Sequence, residues 1–211
     1  MAKYVSEFLG TAILFCAVVG SGIMGENLSP ENKQLTLLTN TLATVFALYF
    51  LISSFQPYST HFNPAVSFVS CLKGEISVQT CTVFVALQIT GAVAGVMLAN
   101  YMFGIDPVDF SEKPRSGTNI FVSEVFATFG LLLIILLSSK EKVAAGVAAY
   151  IGGAYWFTSS TSFANPAGTI GRAFSNTFAG ISPDDVIAFC GAQVIGAMLA
   201  YLLYRKVFSK T

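Results

Sequence analysis

With 211 residues, 54% of them hydrophobic and only 10% charged, the chain falls far below the roughly one-quarter charged content of soluble domains and reads as a membrane protein. Eleven basic and eleven acidic residues cancel to zero net charge, which argues against a nucleic-acid partner. Four cysteines (Cys16, Cys71, Cys81, Cys190) fall in apolar segments without metal-like spacing, so they read as small hydrophobes, and no metal or cofactor is expected.

A spanning helix needs about 20 mostly apolar residues. The first such stretch, 4–24, reads as a span rather than a cleavable leader, because no small-residue cleavage pattern follows it. The second is 37–55. Segment 56–72 is too short and too interrupted to span, and it carries Asn63-Pro64-Ala65. Further spans are predicted over 76–103, 119–138 and 143–161. A second broken segment, 162–181, carries Asn165-Pro166-Ala167 and precedes a last span over 184–207. The expected fold class is all-α: one transmembrane domain over 1–211 with six spans and two re-entrant half-helices.

An even number of spans puts both termini on one side. Lys3, Lys73, Lys140, Lys142, Arg205, Lys206 and Lys210 would share that side, against Lys33, Lys113 and Arg115 on the other. That bias predicts cytoplasmic termini, and the short loops and tails suggest a bacterial inner membrane.

The halves match beyond the tripeptides. Glu7-Phe8-Leu9-Gly10-Thr11 is echoed by Glu124-Val125-Phe126-Ala127-Thr128, and Gln88-Ile89-Thr90-Gly91-Ala92 by Gln193-Val194-Ile195-Gly196-Ala197. The repeats run over about 1–103 and 119–207. Each holds three spans, an odd number, so the second must enter the membrane inverted, with the solute site expected at midplane. Gly91, Gly95 and Gly196 suit close helix contact. Gln88 and Gln193 suit hydrogen bonds between helices. Glu7 and Glu124 are carboxylates at membrane depth with two readings: a proton or ion relay, or acceptors for backbone N–H groups of the broken segments. Their repeat-related placement favours the second.

Asn before Pro reads as a helix start, with Asn capping and Pro in the first turn. The Asn oxygen would accept from following N–H groups, leaving its NH2 to donate into a cavity. Two inverted half-helices would aim two positive dipole ends at the centre, each about half a unit charge. Cations and protons should be repelled there, while neutral solutes offering an oxygen acceptor pass.

His61-Phe62-Asn63-Pro64-Ala65-Val66, with the second Asn165-Pro166-Ala167 in the inverted half, resembles the aquaporin (major intrinsic protein) family over essentially the whole chain. The resemblance implies a six-helix bundle with two half-helices, one pore per subunit, and a homotetramer in the lipid bilayer. It also implies an outer filter containing an Arg straight after the second tripeptide. Here that place holds Gly168. Counting back from Asn63 puts Ala43 at the second-span filter position, and Ser162 stands three before Asn165. Gly153, Ala154 and Tyr155 are candidates for the fifth span. A wider, less cationic filter is therefore expected. Arg172, one turn beyond Gly168 on the same face, would either reach the filter past Gly168 or lie at the outer surface, pairing with Asp184 or Asp185. His61 would line the inner vestibule or act as a pH gate. Trp156 and Tyr155 would line the filter or sit at the interface, and Ser159, Ser160, Thr161 and Ser162 would form a polar approach.

The expected function is a passive channel for water and small uncharged solutes, either glycerol-like polyols or neutral metalloid hydroxides. The alternatives are a proton- or ion-coupled secondary transporter and an anion-permissive pore. No nucleophile–base or metal-ligand constellation suggests an enzyme.

Overall fold

The computed structural model describes Met1–Ser209; of the basic residues used for the orientation, Lys210 lies outside the described residues. Five long helices arise where apolar runs of adequate length were expected: α1 (Ala2–Leu28), α2 (Lys33–Phe55), α4 (Val78–Met102), α5 (Thr118–Leu137) and α8 (Pro183–Leu203). A π-helical turn over Tyr204–Phe208 extends the last. Two short helices, α3 (Pro64–Leu72) and α7 (Pro166–Arg172), begin at the two tripeptides. All five long helices are apolar enough to cross a bilayer.

The remaining helix, α6 (Val143–Phe157), is shorter than the expected 143–161. At 1.5 Å per residue its 15 residues reach only about 22 Å. The hydroxyl-rich run explains the early stop. Thr158 Oγ1 bonds back to Ala154 O at 2.6 Å, closing the helix. Ser160 then turns away to bond Ser123 and Glu124 on α5. Thr158 and Ser160 thus end the helix because their hydroxyls find partners, one back on α6 and the other across on α5.

The helices pair as α1 with α4 and α5 with α8, and both pairs approach closely. Bare backbone permits this. A Cβ at Gly95 would stand 2.0 Å from the carbonyl oxygen of Ala12, and one at Gly196 2.3 Å from that of Val125. Only glycine lets two helices touch at that separation. The core between the pairs is apolar (Leu51, Val19, Val96 and Leu132 are buried), while Phe46, Tyr49, Phe126 and Ile187 face outward. An exterior this apolar, on helices of spanning length, is the surface of an integral membrane protein.

Candidate functional site

Each half-helix starts the same way. Asn63 is in extended backbone and its Oδ1 accepts from Ala65 N at 2.9 Å, with Pro64 in the first turn. Asn165 likewise accepts from Ala167 N at 3.0 Å and Gly168 N at 3.3 Å. The side-chain nitrogens then reach across the molecule. Asn63 Nδ2 donates to Ala164 O at 2.7 Å, and Asn165 Nδ2 to Phe62 O at 2.8 Å. This corrects the expectation of freely projecting amides, because one N–H of each joins the two turns. The other N–H of each has no protein acceptor among the described residues.

The residues accepting those bonds are unusual. Phe62 and Ala164, each just before its Asn, both have φ of +47°. Left-handed backbone at a non-glycine residue costs on the order of 1–3 kcal/mol and persists only where its surroundings over-determine it. Here the two carboxylates do so. Glu7 Oε1 accepts from Ser59 Oγ (2.6 Å) and His61 N (2.8 Å), and its Oε2 from Phe62 N and Gln88 Nε2 (both 2.7 Å). Glu124 Oε1 accepts from Ser160 Oγ (2.7 Å) and Phe163 N (2.9 Å), and its Oε2 from Ala164 N (2.9 Å) and Gln193 Nε2 (2.7 Å). The glutamines also donate to hydroxyls on the half-helices, Gln88 to Ser67 and Gln193 to Thr169. Both carboxylates are fully buried and neither lines the cavity described next.

A cavity of about 250 Å³ runs past both turns. Its lining includes Glu75, Ser70 and His61 beside the first half-helix, Asn63 and Asn165 between the turns, and Thr44, Tyr155, Ser162 and Arg172 beside the second. His61 holds Ser67 Oγ at 3.0 Å through Nδ1. Leu48, Ile151 and Val18 supply apolar wall.

Beside the expected position the second span lines the cavity with Thr44, and Ala43 is half-buried outside it. A gapless count from Asn63 slips by one because segment 56–62 is irregular, and one residue on a helix is about 100° of rotation. On α6 the cavity takes Tyr155, whose phenol lies 3.1 Å from Thr44 Oγ1, but neither Gly153 nor Ala154. Trp156 turns outward, half exposed. Ser162 Oγ is buried without a hydrogen-bond partner.

Gly168 does not line the cavity and leaves no vacancy, because the ring of Phe15 occupies the space a side chain there would need. Arg172 nevertheless reaches the lining. It is 4% exposed, its Nε donates to Ala179 O, and its guanidinium carbon lies 3.3 Å from the centre of the Phe163 ring. It neither snorkels outward nor pairs with Asp184 or Asp185. Asp185 Oδ2 instead accepts from Arg115 N at 2.6 Å.

Sequence reasoning missed Phe15, Thr44 and Arg115. Phe15 was findable, since Glu7, Thr11 and Phe15 are four apart and share one helix face. Arg115, on the α4–α5 connection, bonds Gly180 O through Nε at 2.8 Å and stacks on Phe163 at 4.7 Å. Among the described residues the one ion pair is Lys73–Glu75, at 2.6 Å, so the guanidiniums beside Phe163 are held by carbonyls and a ring.

Lys113, beside them, donates from Nζ to Phe178 O at 2.7 Å. Burial, and next the Arg115 charge, push its pKa down to about 8. The unfolded chain keeps that proton to about pH 10.4, so between these values unfolding takes up a proton and stability rises with pH. Thermal unfolding in detergent should shift upward from about pH 8 to about pH 10 in the native protein, and by less in Lys113→Gln.

Spanning helices enclosing a cavity that passes two inward-facing helix starts define an integral membrane protein of the channel class. Comparison with known proteins narrows the class. Residues 1–157 match the Major intrinsic protein family. The chain is 46% identical over 207 residues to Aquaglyceroporin AqpS of Rhizobium meliloti (strain 1021), covering 96% of this chain and 88% of that protein. It is 28% identical to human Aquaporin-5 over 221 residues, covering 94% and 78%. The crystal structure of the aquaglyceroporin from Plasmodium falciparum superposes with a TM-score of 0.76 at 19% identity, covering 99% of this chain and 97% of that one, a likeness of fold. The chain belongs to the Major intrinsic protein family.

Proposed function

We propose that the protein is a passive channel for water and small uncharged hydroxylated solutes of the glycerol type, with neutral metalloid hydroxides in the same chemical class. The observation that carries this is the cavity past both Asn amides, whose lining also carries the polar groups of Thr44, Tyr155, Ser162 and Arg172. The relative named as an aquaglyceroporin supports the solute class. Each Asn turn offers a donor to a solute oxygen, and the dipoles of α3 and α7 oppose cations at the same place. Arg172 supplies the filter cation in place of a residue at Gly168.

The matching bonds of Glu7 with Gln88 and of Glu124 with Gln193 support two inverted repeats, about 1–103 and 119–207, within one channel domain. They also disfavour the coupled-transporter alternative, since both buried carboxylates have their oxygens occupied by structural bonds. The anion-permissive alternative draws support from Arg172, a cation lining the cavity without a carboxylate partner. Planar-bilayer anion current would bring it forward. A homotetramer, cytoplasmic termini and a bacterial inner membrane belong to this reading. The first is checked by the mass of the detergent-solubilised particle, the second by cysteine accessibility in intact cells.

Stopped-flow light scattering on proteoliposomes tests the function. Water and glycerol should both cross faster than in empty liposomes, without accumulation against a gradient. Glycerol permeability equal to that of empty liposomes would remove the polyol assignment.

A further inference from the structure

With the Phe15 ring where it lies, no side chain fits at Gly168. A Cβ built there would stand 2.0 Å from Cζ of Phe15 and 2.1 Å from its Cε1, where carbon atoms at rest keep about 3.5–4.0 Å. The obstacle is an aromatic ring projected from α1, one turn beyond Thr11 on the face that carries Glu7. Phe15 is 5% exposed and lines the central cavity, as do Leu14 and Val18 on the same helix. The glycine and the ring are therefore matched. Bare backbone on α7 lets the ring lie against it, and the ring closes what would otherwise be a void.

We propose that Phe15, seated on Gly168, is a specificity-determining residue of the cavity, a role taken by the first helix. The proposal rests on the channel reading above and deepens it. The ring gives the cavity an apolar wall, and the same cavity is lined by the polar groups of Thr44, Tyr155, Ser162 and Arg172. A passage with one hydrocarbon side and one hydroxyl-and-guanidinium side fits a linear polyol, whose carbon chain and hydroxyls lie on different edges. It limits larger solutes by the position of the ring. Arg172 carries the charge and Phe15 sets the width, so the two tasks are divided between residues on different helices.

A ring that merely filled the core would affect stability and leave the solute cut-off unchanged, and this separates the two roles. The experiment compares wild type, Phe15→Ala, Phe15→Leu, Gly168→Ala and the Phe15→Ala/Gly168→Ala pair in proteoliposomes. Each protein is first checked for a monodisperse detergent particle, and water, glycerol, erythritol and ribitol are then offered. Phe15→Ala should raise the ribitol-to-glycerol permeability ratio by about tenfold, the scale on which a changed apolar contact discriminates solutes. Phe15→Leu should give a smaller rise. Gly168→Ala should push the ring into the passage and lower glycerol flux by a similar factor, and the double variant should recover it. Unchanged ratios in both Phe15 variants, with wild-type flux intact, would overturn this proposal alone. Wild-type protein that passes neither water nor glycerol would overturn the channel reading and this one with it.

Discussion

Glu124→Ala is expected to prevent recovery of folded protein. The carboxylate is fully buried and accepts from Ser160 Oγ, Phe163 N, Ala164 N and Gln193 Nε2. Ser160 and Gln193 have further partners, Ser123 and Thr169, but the two backbone N–H groups lie in an irregular segment with no helix or strand to receive them. A buried donor left unpaired costs about 1–3 kcal/mol. Two of them, with the left-handed backbone of Ala164 no longer held, give a loss of roughly 4 kcal/mol or more. That approaches the whole stability of many domains, about 5–15 kcal/mol. Glu124→Gln should fall between, since one carbonyl oxygen remains to accept and Gln193 can rotate its amide to present oxygen to the new NH2. Detergent-solubilised protein should lose its monodisperse peak in the Ala variant and show a lowered unfolding temperature in the Gln variant. An Ala variant unfolding at the native temperature would show that the segment 158–165 is held by something else.

The same chemistry explains why this part of the site was legible in the sequence. Asn-Pro-Ala states a helix start locally, and a Glu at membrane depth must find donors. Both occur twice with matching neighbours, so each half's reading supports the other. The spans were legible from hydropathy for the same local reason. What the sequence concealed depends on groups brought together by packing. The end of α6 at Phe157 turns on whether the hydroxyls of 158–162 bond back to the helix or across to α5, and composition does not distinguish these. Thr44 in place of Ala43 turns on the path through segment 56–62, where no period exists to count by. Gly168 read as a vacancy because its occupant, Phe15, belongs to the first helix. Arg172 was visible as a charge on the correct face, but its contacts, Ala179 O and the Phe163 ring, follow from the fold of the loop after α7.

Arg172→Ala is expected to raise cation conductance on the order of 10²-fold while leaving the protein folded and permeable to water. Two unit charges about 4 Å apart repel by roughly 4 kcal/mol at an effective dielectric of 20. Water in the passage reduces this, so removing the guanidinium should lower the barrier for an entering cation by about 2–3 kcal/mol, and every 1.4 kcal/mol is tenfold. The current should stay small in absolute terms, because the half-helix dipoles at Asn63 and Asn165 form a second barrier that the substitution does not touch. Arg172→Lys separates charge from packing. A lysine retains the positive charge and a donor for Ala179 O but loses the planar stack on Phe163, so it should keep cations out while altering glycerol flux. Planar-bilayer conductance and proteoliposome light scattering on the two variants measure both effects. Cation conductance at the native level in Arg172→Ala would mean that the turns and the neighbouring cations Arg115 and Lys113 suffice for exclusion, and that Arg172 acts only on the neutral solute.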